Sequence, residues 1–238
     1  MSLVGTEAIR FSDVVKYEQE SSVGICRDVV TVYEAGAKTY PIGTVLGKTL
    51  TGGSAIATAG AGNTGTGTVG TITVSGTAEV GTYTVRFVKA VTDKGDFVVT
   101  NPAGVVVGVG SATVVFTGGG LSFTISDATD FVVGDTFTIA VTGTVKYKMV
   151  EATATDGSAK ACAVYISGSS GDFTTSTIAA TTNTSVIALI RGACIVGKEA
   201  LTYGASINTD AEKAQMYAEL ESVGIICRSL IGTAATVA

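Results

Sequence analysis

The sequence contains no histidine. That removes the commonest general acid–base and the commonest metal ligand together. A Ser-His-Asp or Cys-His constellation cannot be built within one chain, and zinc would need all its ligands from cysteines and carboxylates. Tryptophan is also absent, and proline occurs only at Pro41 and Pro102. Charged residues make up 15% of the chain and the formal net charge is −5. With no basic cluster for a phosphate backbone, nucleic acid is not an expected partner. Gly, Thr, Asp or Lys interrupts every apolar run before it is long enough to span a bilayer, so no membrane association is expected. The first residues, MSLVGTEAIRFSDVVKYEQE, lack the apolar core of a signal peptide.

What remains is a chain rich in Gly, Thr, Val and Ala, the composition of many short strands joined by glycine turns. Its mean hydropathy of +0.46 is high for so few charges. A chain of this kind is expected to cover part of its surface in an assembly. The cysteines Cys26, Cys162, Cys194 and Cys227 are far apart, with no C-x-x-C pair. They read either as buried thiols in a reducing compartment or, the count being even, as one or two disulfides.

The stretch GAGNTGTGTVG, residues 60–70, contains G-x-G-x-x-G twice. A dinucleotide fingerprint needs a helix after the glycines, to aim its free N–H groups at the pyrophosphate. Here Thr71-Ile-Thr-Val-Ser75 and Thr82-Tyr-Thr-Val-Arg-Phe-Val-Lys89 alternate as strands, with Tyr83, Val85 and Phe87 on one face. Gly47-Lys48-Thr49 lacks the first glycine of a Walker loop. The glycines therefore read as a flexible linker rather than a nucleotide site. Further strands are expected at 97–100, 105–107, 112–116, 121–125 and 136–141, the spacing of a small sandwich or barrel. Asp127, Asp130 and Asp135 cluster in SDATDFVVGD, but fit no EF-hand loop and read first as turn residues. No metal or cofactor is expected, and no constellation amounts to an enzyme.

After residue 143 the strands are Val145-Lys-Tyr-Lys-Met-Val150, Ala161-Cys-Ala-Val-Tyr-Ile166 and Ser185-Val-Ile-Ala-Leu-Ile190. Thr209-Asp-Ala-Glu212 is a capping box that starts a helix over 210–223, with Met216, Leu220 and Val223 as its buried stripe and Gly224 as its stop. Residues 1–27 mix polar and apolar residues without a helical period. They read either as a frayed terminus or as a strand donated to a partner's sheet edge.

With 52–143 set aside, an ordered set of motifs becomes visible. Arg27-Asp-Val-Val-Thr-Val32, Ile42-Gly-Thr-Val-Leu-Gly47 and Asp156-Gly-Ser-Ala-Lys-Ala-Cys-Ala-Val164 are followed by Ile190-Arg-Gly-Ala-Cys-Ile-Val196, Ala200-Leu-Thr-Tyr203 and Val223-Gly-Ile-Ile-Cys-Arg228. In order and spacing this set resembles the lambda-type bacteriophage head decoration proteins. The resemblance implies a mainly β protein. Residues 28–51 plus 144–238 would form a β-clip-like decoration core with one or two helices, interrupted by an inserted all-β, sandwich-like domain at 52–143. It implies a homotrimer bound to the major capsid protein at three-fold positions, stabilising the expanded shell against DNA pressure. Residues 1–27 would be the capsid-binding arm, contacting through Phe11, Val14, Val15, Tyr17, Val23 and Ile25. The alternative is a capsid-anchored module whose insert recognises glycan or a host surface. Either way the protein would be made in the host bacterial cytoplasm and sit on the outer capsid surface of the virion.

Overall fold

The computed structural model describes residues 9–19, 24–92, 94–168 and 175–229. The protein is mainly β, with two α-helices among the described residues. In chain order the elements are α1 (Phe11–Val14), β1 (Val15–Glu18), β2 (Arg27–Val32), β3 (Lys38–Tyr40), β4 (Val45–Ala59), β5 (Thr73–Val74), β6 (Gly81–Val91), β7 (Lys94–Thr100) and β8 (Val106–Ser111). They continue with β9 (Phe116–Gly118), β10 (Leu121–Phe123), β11 (Thr136–Met149), β12 (Ala161–Gly168), β13 (Ser176–Ile178), β14 (Thr184–Leu189), β15 (Cys194–Gly197), α2 (Asp210–Ser222) and β16 (Ile225–Arg228). The chain forms two compact units, residues 1–48 with 146–238, and residues 49–145.

The first unit is built on a small barrel. Strands β2, β14, β12, β4 and β11 follow one another, and Tyr147 of β11 meets Val32 of β2 in parallel to close the ring. Closure removes the sheet's free edges at this point. β12 reads as a nearly unbroken apolar run because it is central, and Ala161, Ala163, Val164, Tyr165 and Ile166 are all buried. α2 begins where its capping box predicts. The Thr209 hydroxyl accepts from the Glu212 N–H at 3.2 Å, and the Glu212 carboxylate accepts from the Thr209 N–H at 2.9 Å. Met216 and Leu220 are its buried stripe, joined by half-buried Val223 after the last turn. Gly224, at φ +87°, ends the helix in the left-handed region.

The second unit is a two-layer β structure around one aromatic core. β6, β7 and β8 extend the sheet from β11, while β5, β10 and β9 form a second, three-stranded sheet. Tyr83, Val85 and Phe87 alternate inward from β6, as do Phe97 and Val99 from β7. Phe87 stacks on Phe131 with ring centroids 4.0 Å apart, and Phe97 lies against Phe116 and Phe123. Both layers contribute to this cluster, which is why strands of two to eleven residues hold together.

Candidate functional site

The glycine run at 60–70 is not a flexible linker, and this corrects the expectation from composition. Its backbone lies against the Phe131 ring. A Cβ on Gly65 would come within 2.3 Å of Phe131 Cδ1, and one on Gly67 within 1.9 Å of the Ser126 carbonyl oxygen. Glycine is required there for close approach rather than for freedom. The run does bind an anion, but one from its own chain. The N–H groups of Thr64 and Gly65 donate to the Asp135 carboxylate at 3.0 and 2.9 Å, and the Val132 N–H donates to it at 3.1 Å. Asp135 is 3% exposed. Burial pushes its pKa up, the three N–H donors pull it down, and the donors win, leaving it below the usual aspartate range. A nest of backbone N–H groups that would suit a phosphate is thus filled by an internal carboxylate.

The same geometry bears on the Asp127, Asp130 and Asp135 cluster. Asp135 is committed to N–H donors, and among the described residues no three acidic or thiol side chains come together as a metal site.

Two surface hollows lie among the described residues of the first unit. One, of about 310 Å³, is lined by Glu34, Lys38, Lys148, Glu151 and Asp156 among others. Its charges are matched within the hollow. Glu34, buried, accepts from the Tyr40 hydroxyl at 2.5 Å and from the Met149 N–H at 2.9 Å. Lys38 lies 3.6 Å from Glu34 and 3.4 Å from Glu151. Burial opposes ionisation of Glu151, but the Ser206 donors and Lys38 hold its pKa below the usual value. Lys148 meets Asp156 at 2.6 Å, and against a desolvation penalty this ion pair and Ser158 bring the Asp156 pKa down to about 2. The second hollow, of about 540 Å³, holds Tyr203, Tyr217, Lys198 and Lys213, with the Lys198 ammonium 4.5 Å from the centroid of the Tyr217 ring.

Residues 11–18 fold back on their own unit. β1 pairs antiparallel with β15, Val15 opposite Val196 and Glu18 opposite Cys194. The Glu18 carboxylate takes the Arg27 guanidinium at 2.8 and 3.0 Å from Nε, and the Arg27 guanidinium carbon sits 5.2 Å from the Phe11 ring centroid. Strand addition therefore occurs in cis. Of the six residues expected to meet a capsid, Val14 and Val15 are buried in the core, and Phe11 packs against it. Tyr17 and Ile25 are exposed, at 54% and 44%, and Val23 lies outside the described residues.

Sequence reasoning passed over a second surface. From Phe97 to Ser126 the chain carries no charged residue. Within that stretch β8 pairs with β7 on one side only and ends the sheet order. Phe97 and Val99 face inward opposite Gly110 and Gly108, so Val98 and Val109 point the other way. Val109 is 75% exposed, and Val105, Val106, Val114 and Val115 are also exposed. The turn before β8 is fixed by Asn101, whose N–H donates to the Val105 carbonyl and whose side-chain oxygen accepts from the Val105 N–H, both at 2.8 Å. These valines are held in place, not loose.

A scan against protein-family models found no match, and a search of curated proteins found none. Among solved structures, FlgL of Xanthomonas campestris is similar over 43% of this chain and 33% of its own, at 29% identity and a TM-score of 0.32. The flagellar junction protein FlgL of Legionella pneumophila is similar over 42% of this chain and 37% of its own, at 16% identity and a TM-score of 0.32. The flagellar hook junction protein FlgK of Burkholderia pseudomallei is similar over 54% of this chain and 23% of its own, at 20% identity and a TM-score of 0.31. This chain thus spans about a third of the FlgL chains it resembles. At these TM-scores the likeness does not assign it to the flagellar proteins. The similar structures are nevertheless flagellar junction proteins, not phage head decoration proteins, and that corrects the resemblance read from the motifs. Capsid stabilisation, the capsid-anchored binding module, the bacteriophage-head assignment and the place on the outer virion surface all rested on that resemblance and are withdrawn.

Proposed function

We propose that this protein is structural and non-catalytic, and that it associates with copies of itself through the β8 edge of the 49–145 unit. The observation that carries this reading is a sheet that ends at β8 with no strand paired beyond it, and with Val109 and its neighbours exposed in a stretch without charge. Soluble proteins blunt such edges with lysine, proline or a covering element. The occupant follows from the chemistry of the edge. A partner bringing charged side chains to it would leave them desolvated and unpaired. The same edge of a second copy brings none. Two antiparallel edges meeting across a two-fold axis form a self-complementary contact, with main-chain hydrogen bonds supplying the pairing and the valines the apolar burial. The absence of a catalytic role is supported by the first hollow, whose acids and bases are tied to one another.

Sedimentation velocity of the full chain, beside Val109→Lys, tests the reading. The parent is expected to sediment as a dimer, and the variant as a monomer with an unchanged circular dichroism spectrum, since the side chain points to solvent. A parent that stays monomeric at its highest soluble concentration, or a variant that associates as the parent does, overturns the proposal.

A further inference from the structure

Three of the four cysteines, Cys26, Cys194 and Cys227, lie in the core of the first unit, and all four are free thiols. Two of them meet. Cys26 sits one residue before β2, where its carbonyl oxygen accepts the Ile190 N–H at 3.0 Å, just beyond the Arg27–Leu189 pair that ends the β2–β14 register. Its Sγ is 3.8 Å from the carbonyl oxygen of Ala193, the residue before Cys194. Cys194 opens β15, opposite Glu18 on β1. Both cysteines are fully buried. Burial, followed by the neighbouring Cys26 thiol within hydrogen-bonding reach, pushes the Cys194 pKa up to about 12. Cys227 is set apart by register. On β16 it pairs with Val196, while Cys194 pairs with Ile225. Cys162 is elsewhere, its Sγ 3.6 Å from the Leu46 carbonyl.

We propose that Cys26 and Cys194 form a disulfide-competent pair, a staple that a small-molecule disulfide closes when the chain meets an oxidising environment. The thiolate of one cysteine attacks a sulfur of the oxidant and releases one small thiol, giving a mixed disulfide. The thiolate of the other then attacks the protein sulfur of that mixed disulfide and releases the second small thiol. Two protein thiols become one disulfide, the oxidant is reduced to two thiols, and the protons leave with them. In the closed fold both thiols are buried, so exchange waits on local opening of the core that covers them. Once made, the bond ties the start of β2 to the start of β15 and encloses the whole 49–145 unit in its loop. It constrains the unfolded chain and so favours the folded first unit.

The four cysteines fall in four different tryptic peptides, 17–27, 161–191, 192–198 and 214–228. The full chain is incubated with oxidised glutathione in mild urea, which permits opening, then alkylated, digested without reduction and mapped by mass spectrometry. The expected product is 17–27 joined to 192–198, from a chain two hydrogen atoms lighter, with a raised melting temperature that reductant reverses. Cys194→Ala is expected to lose both the link and the gain in melting temperature. Linkage of 17–27 to 214–228 or 161–191 overturns the pairing. So does recovery of all four cysteines alkylated after the oxidising incubation.

Discussion

Replacing Asp135 with asparagine tests whether the glycine run is organised around an internal anion. Three N–H donors, from Thr64, Gly65 and Val132, converge on the carboxylate at 2.9 to 3.1 Å. Asparagine has one acceptor oxygen in place of two. Placed toward Gly65 and Val132, which share one carboxylate oxygen, it turns its NH₂ group onto the Thr64 N–H. One buried donor is then orphaned, at about 1–3 kcal/mol, and two charge-assisted bonds become neutral ones, at about 0.5–1.5 kcal/mol each. Against this, the neutral amide avoids the desolvation of a buried charge. The direction of the pKa decides which side wins. Because the donors outweigh burial and hold the pKa low, ionised Asp135 stabilises the fold, and the net loss in Asp135→Asn is about 2–3 kcal/mol. The pH dependence has a fixed sign. A carboxylate with a depressed folded pKa gives its full stabilisation above the unfolded value of about 3.9 and loses it as pH falls through the folded value. The gap between parent and variant should therefore narrow below about pH 4. Urea unfolding at several pH values measures the gap, and hydrogen exchange over residues 60–70 locates it. A variant as stable as the parent at neutral pH, or a gap that stays constant in acid, would refute the reasoning.

Gly67→Ala must displace the Ser126 carbonyl or the Phe131 ring and is expected to cost about 3 kcal/mol, whereas Gly62→Ala, with open space around it, should stay within about 0.5 kcal/mol of the parent by urea titration. Tyr40→Phe removes the hydroxyl that donates to Glu34 and accepts the Met149 N–H, for a loss of about 2 kcal/mol in the same assay. The Asp156 carboxyl, held down to about 2, should titrate nearer its ordinary value in Lys148→Met, as read by NMR of the side-chain carboxyl carbon.

The legible parts of this sequence were those whose partners lie close along the chain. Thr209 and Glu212 are three residues apart, and their spacing alone marks the start of α2. Tyr83, Val85 and Phe87 show their shared face because the strand period is two. The glycine run was misread because the group that explains it, Asp135, is 70 residues away from Gly65. Spacing within the run excludes a nucleotide but cannot supply the carboxylate that takes its place. The pairing of β1 is hidden from the sequence for the same reason. Val15 and Glu18 are strand residues whose partners, Val196 and Cys194, lie far along the chain and leave no local mark. The valine edge was visible only as a bulk property, high hydropathy with little charge. That bulk reading gave no position, because in a β-sandwich an exposed Val109 and a buried Val99 look alike in sequence.

The edge also sets how far association can go. An unguarded strand is a template for open-ended sheet growth only if each copy offers two free edges at the same place. In the 49–145 unit the sheet runs from β11 through β6 and β7 to β8, and among the described residues no strand pairs with β8 beyond β7. At its other end β11 is flanked by β4. A copy docking β8 to β8 therefore uses the open end of this sheet on each chain. The contact is isologous and consumes itself, so it terminates at two copies, whereas a head-to-tail contact would need a second, different surface on each chain. Association through β8 alone is a dimer that does not grow with concentration. An increase in sedimentation coefficient beyond the dimer as concentration rises would show that a surface other than β8 is in use.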